Sequence, residues 1–195
     1  MLFSQQDKNR LKNHLFKILS SIKGVISITL VGSFWTKKNL NDFSDVDIVI
    51  ILEEFNQHKY NECINKISKI NLKKFNLGNL KLLINPTFGP LKFNDHQSIV
   101  FHTMIYSKQS HIDHVINSPF TCYDWERSRY YKGVPIKKIF PVGKIQLTDF
   151  FNSRRGVLSY LSNIEKGIIS YQKYSFNKNN YNITNKKFKI NKRHK

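Results

Sequence analysis

Two carboxylates, Asp45 and Asp47, open an apolar run that continues through Val46 and Ile48 to Leu52, and a Gly32-Ser33 pair precedes them. Residues 34 to 44 lie between, so the pattern is Gly-Ser, eleven residues, then Asp-x-Asp. On a strand, residues i and i+2 point to the same side. Two carboxylates so placed repel each other, and burial adds to the cost. A divalent cation resolves that conflict. Mg²⁺ takes oxygen ligands and is commonly shared between carboxylates and substrate phosphates. Two such ions about 4 Å apart clamp the attacking and leaving oxygens of a phosphoryl displacement. Gly32 lets the backbone approach a phosphate closely, and the Ser33 hydroxyl and amide can donate to its oxygens. Lys37 and Lys38 stand close enough in sequence to neutralise further phosphate charge. A polar strand end after an ordinary turn explains the pair poorly, because each Asp adds desolvation cost to an otherwise apolar strand.

The elements that must position these residues follow from periodicity. Residues 5–22 read as a helix: Leu11, Leu15, Ile18, Leu19 and Ile22 recur at helical spacing, and Ser4 with Asp7 has the form of a cap. Gly24 ends it. Residues 25–31 are rich in β-branched side chains and read as a strand. Residues 34–43 read as a short helix or a loop. Residues 46–52 read as a strand buried on both faces. A helix is expected over 56–70, and strands over 80–84 and 99–106, with the breaker-rich Asn85-Pro86-Thr87-Phe88-Gly89-Pro90 after the first. Residues 111–117 read as a short helix ended by Pro119, and 118–146 as irregular structure with short strands. Thr148 caps a last helix over roughly 149–172.

The chain has 195 residues, 40% of them hydrophobic and 13% aromatic, so most of it should fold around a real core. No apolar run reaches the roughly 20 residues needed to span a bilayer. The opening Met1-Leu2-Phe3-Ser4-Gln5-Gln6-Asp7 lacks the basic-then-apolar layout of a secretion signal. Cys63 and Cys122 have no metal-type spacing and read as two reduced cysteines of a cytoplasmic protein. The net charge of +19 favours polyanionic partners, although the abundance of Lys, Asn and Ile is also what biased base composition produces. No acidic residue follows Glu165, and 166–195 contains nine Lys and Arg. We expect a domain over 1–146, a C-terminal helix packed on it over 147–175, and a basic, disordered tail over 176–195.

The run Val31-Gly32-Ser33, then Asp45-Val46-Asp47-Ile48, resembles the signature of the DNA polymerase β-like nucleotidyltransferase superfamily. That signature is a hydrophobic residue with Gly-Gly or Gly-Ser, a variable stretch, then Asp-hydrophobic-Asp/Glu-hydrophobic. The likeness covers roughly residues 25–52, with compatible elements to about 106. It implies an α/β (α+β) fold, a mixed sheet flanked by helices. It also implies transfer of a nucleoside monophosphate from an NTP, ATP first, to an acceptor, with release of pyrophosphate. Gly32, Ser33 and Ser44, with Lys37 and Lys38, would hold the nucleotide. Asp45 and Asp47 would bind Mg²⁺ and carry the catalysis.

The family usually adds a third carboxylate from a later strand. No acid lies within 80–84 or 99–106, and His102 stands mid-strand where one is expected. His102 can serve as base or third ligand, or be a hydrogen-bonded core histidine. Asp95, Asp113, Asp124 and Glu126 lie nearby in sequence and read as surface or loop-stabilising residues. Trp125, Arg127, Arg129, Tyr130 and Tyr131 read as loop anchors before they read as a base-stacking surface. The acceptor implied is a small molecule, a protein side chain or an RNA end. The alternative is a catalytically impaired module, antitoxin-like, that binds a partner protein or nucleic acid, with the basic tail in contact.

Overall fold

The near-continuous apolar run after Asp45 predicts a strand that no water reaches, and that strand is the centre of the molecule. The computed structural model describes residues 3–36, 45–85, 97–177 and 180–189. Strand β1 (Val25–Val31) runs antiparallel to β2 (Asp45–Leu52), and β2 runs parallel to β4 (Ser98–Ser107) on its other side. The outer strands are β3 (Lys81–Ile84), parallel to β4, and the short β5 (Tyr131–Gly133), antiparallel to β1. The five-stranded sheet therefore has the order β3-β4-β2-β1-β5 and is mixed. Helices cover both faces, which gives the α/β class expected.

Alternation along β2 sends side chains to two cores. Val46, Ile48, Ile50 and Leu52 face α1 (Gln5–Ser20) and α3 (Gln57–Ser68), meeting Leu11, Leu15, Leu19, Cys63 and Ile67. Val49 and Ile51 face the other way, toward Val115, Cys122, Trp125 and Ile136. These four belong to α4 (Lys108–Asn117), α5 (Pro119–Glu126) and the short α6 (Ile136–Ile139). The two cysteines are buried and unpaired, one in each core. The first helix begins where its cap predicts: Ser4 Oγ accepts from the Asp7 N–H at 3.1 Å, and the Ser4 N–H donates back to Asp7 at 3.0 Å.

Three expectations need correction. Pro119 does not close a helical region into irregular chain; it is the first residue of α5, where a missing N–H costs nothing. The last helix, α7 (Leu147–Glu165), stops short of 172 because Gly167 follows at φ +64° in the left-handed region that ends helices. Residues 168–177 and 180–189 then form the antiparallel pair β6 (Ile168–Asn177) and β7 (Asn180–Lys189), where a helix end and the first part of a disordered basic tail were expected. Its aromatics explain the order. Tyr181 stands edge-on to Phe55 at 4.5 Å, Phe176 lies 5.7 Å from the same ring, and Tyr174 lies 5.0 Å from Tyr60. Helix α7 itself was expected to pack on the domain. Leu147, Phe150, Phe151, Val157, Leu158 and Leu161 are exposed along it, and Phe150 meets Phe120 at 5.0 Å. Among the described residues, no helix is long and apolar enough to cross a membrane.

Beneath the second face, His111 is 1% exposed and neither ring nitrogen has a hydrogen-bond partner. Burial first, and His114 second, push its pKa down to about 4. A histidine depressed in the folded state stabilises above its unfolded value of about 6.5 and loses that contribution as pH falls toward 4. His111→Leu should therefore gain on the wild type by roughly 2–3 kcal/mol between pH 7 and pH 4 in denaturant unfolding. Parallel pH profiles for the two proteins would refute this.

Candidate active site

Asp45 and Asp47 occupy the first and third positions of β2, so both carboxylates lie on the side of the sheet that carries Val49 and Ile51. The parallel register sets His102 of β4 opposite Asp47. His102 falls on the same side, in step with Met104 and Tyr106. Ligand atoms of the three side chains all lie within 4.8 Å of one another, and His102 Nε2 stands 3.5 Å from Asp45 Oδ2. Two carboxylate oxygens and an imidazole nitrogen thus converge at the polar end of an otherwise apolar face.

Gly32 packs directly against this cluster. Val31 pairs with Asp47 across the β1–β2 ladder, and Gly32 follows at φ +80°. A Cβ there would fall on the Asp47 carboxylate. Glycine is needed both for the backbone angle and for the space. Ser33 begins the single turn α2 (Ser33–Thr36), whose Phe34 and Trp35 are buried. The Trp35 indole N–H donates to the Asp47 carbonyl at 3.3 Å, which ties that turn to β2. The Gly-Ser pair and the acidic pair are therefore brought side by side.

The Asp47 carboxyl is pushed up to about 7, by burial first and by the neighbouring Asp45 second, with His102 opposing. A divalent cation fits this donor set: carboxylate oxygens suit Mg²⁺, an imidazole also suits transition metals, and the spread of the ligand atoms allows them to surround one ion.

Other expected residues fall elsewhere. Lys37, Lys38, Ser44 and Asp95 lie outside the described residues. Glu126 accepts from the Val142 N–H at 3.0 Å and Asp113 from Gln109 at 2.9 Å, so each braces local chain. Trp125 is buried in the second core, and Tyr130 lies 6.3 Å from Trp35, as anchors do. The segment before β5 is tied beside the Gly32 turn, since Ser128 Oγ donates to the Leu30 carbonyl at 2.6 Å and the Leu30 N–H to Tyr130 at 2.8 Å.

A proton on Asp47 and a cation compete for the same oxygens. Mn²⁺ affinity, measured by calorimetry, should rise by about tenfold from pH 6 to pH 8, because burial and Asp45 push the Asp47 carboxyl up to about 7. Gly32→Ala should weaken Mn²⁺ at least tenfold and cost roughly 1–3 kcal/mol of stability, since the new methyl displaces the carboxylate and strains the turn. Unchanged Mn²⁺ affinity in that variant would show that the close approach is not maintained in solution.

No curated protein matches the chain. A family model described as a nucleotidyltransferase domain matches residues 12–132, well over half of its length. The match spans the Gly-Ser turn, the acidic pair and the strand that carries His102, so the chain belongs to the nucleotidyltransferase domain family.

Proposed function

We propose that this protein is a Mg²⁺-dependent nucleotidyltransferase of the cytoplasm. It transfers a nucleoside monophosphate from an NTP, ATP first, to an acceptor and releases pyrophosphate. The observation that carries the reading is the convergence of Asp45, Asp47 and His102 beside the Gly32-Ser33 turn. Asp45 and Asp47 would hold the cation through carboxylate oxygens, with His102 Nε2 as the third ligand where the family has a carboxylate. When bound, the cation supplies charge neutralisation for the triphosphate and for the pyrophosphate that leaves. Gly32 and Ser33 would orient the phosphates with backbone and hydroxyl donors. Ser44, Lys37 and Lys38 would complete the nucleotide site. The acceptor is a small molecule, a protein side chain or an RNA end.

Pyrophosphate release from each NTP over an acceptor panel, with Mg²⁺ and with Mn²⁺, tests this directly. Asp45→Ala with Asp47→Ala should abolish turnover and NTP–metal binding together. His102→Ala should lower the rate about 10²–10⁴-fold if the ring is a ligand or a base. His102→Asp should recover much of the loss with Mg²⁺, because it restores an oxygen ligand. If wild type neither turns over nor binds NTP with a metal, the enzymatic reading fails.

The +19 charge favours a second reading, in which an impaired site is retained and a basic surface binds nucleic acid. Affinity for RNA that falls steeply with salt and survives the double Asp substitution would favour it.

A further inference from the structure

Strand β3 ends at Ile84, which pairs with Phe101, while β4 continues to Ser107. Among the described residues, no strand pairs with the outer edge of β4 past that point, and His102 is the first residue beyond it. Asn85 takes over there. Its backbone N–H donates to the Phe101 carbonyl at 3.0 Å. Its side-chain Nδ2 donates to the Thr103 carbonyl at 2.8 Å, and its Oδ1 accepts from the Thr103 N–H. One amide side chain thus replaces the peptide group that a longer β3 would have offered. The three bonds bracket His102, one on the residue before it and two on the residue after.

The conformation of Asn85 makes this possible. Its φ is +43°, in the left-handed region that asparagine enters more readily than most residues. The chain leaves the strand direction at that point and turns the amide back on β4. Tyr60, beside this amide, packs against Phe55 and Tyr174. Beyond Thr103, the Tyr174 hydroxyl donates to the Ile105 carbonyl at 3.5 Å and covers the next stretch of the same edge.

We infer that Asn85 is a positioning residue of the active site: its side chain fixes the β4 backbone on both sides of His102 and so holds the imidazole against Asp45. This rests on the reading of His102 as a ligand. Partners that orient a metal ligand typically change affinity 10- to 100-fold when removed. A residue that merely closed a strand end would alter stability and leave His102 alone.

The test uses Asn85→Gly, which deletes the amide and keeps the left-handed backbone unstrained, whereas Asn85→Ala would add strain of its own. Mn²⁺ affinity is measured for wild type, N85G, H102A and the double variant. N85G should weaken Mn²⁺ about tenfold when His102 is present and have no further effect in the H102A background. In metal-free protein, NMR should show faster Thr103 amide exchange and a mobile His102 ring in N85G. Equal loss in both backgrounds, or a His102 ring as ordered as in wild type, would overturn the inference. If wild type binds no Mn²⁺, the ligand reading of His102 falls, and the ring and amide signals still decide whether Asn85 holds it.

Discussion

Two like charges on one side of one strand are the constraint around which this molecule is arranged. Asp45 and Asp47 cannot diverge, because the pleat of β2 directs both the same way. Both are half-buried, Asp47 between β1 and β4 and Asp45 beside β4, so water screens them only in part. The folded chain answers with proximity rather than neutralisation. It places a histidine opposite Asp47, whose carboxyl burial and then Asp45 push up to about 7. Such an unbalanced site is poor as a stabilising feature and well suited to a cation.

The surrounding fold is explicable as what keeps that arrangement in place. β2 is central, so its position is set by packing on both sides: α1 and α3 fill one core, and α4, α5 and α6 the other. The carboxylates continue the second of these faces past the last apolar side chain. Gly32 leaves room for Asp47, and Trp35 grips the Asp47 backbone from the next turn. The Gly-Ser turn and the acidic pair are thus coupled through Asp47, so a change in either is felt in the other.

Much of this was legible in the chain, for a definite reason. Periodicity marks α1, β1, β2, α3 and β4, since each buries a regular subset of its side chains, and the observed bounds differ from expectation by a few residues at most. Where the reading failed, a single residue had two meanings. Pro119 can end one helix or begin another, and a neighbour decides. Gly167 ended α7 inside a stretch whose apolar spacing carried on. Tyr174, Phe176 and Tyr181 looked like stray aromatics among lysines until Phe55 and Tyr60, far away in sequence, supplied the surface they cover. Asn85 read only as a breaker, and its amide gains a role only because β3 is shorter than β4.

By itself the sequence determined the family, and it marked Gly-Ser and Asp-x-Asp as the candidate site, because both are local patterns read from residue type and strand pleat. Only the tertiary structure decided what the third member is. His102 lies 55 residues beyond Asp47 in sequence. Whether it meets the carboxylates or sits in a core depends on the parallel register between β2 and β4, and a slip of one residue would send it to the opposite face. Register is set by the packing of both cores at once, a property of the assembled sheet that no segment of the chain carries alone.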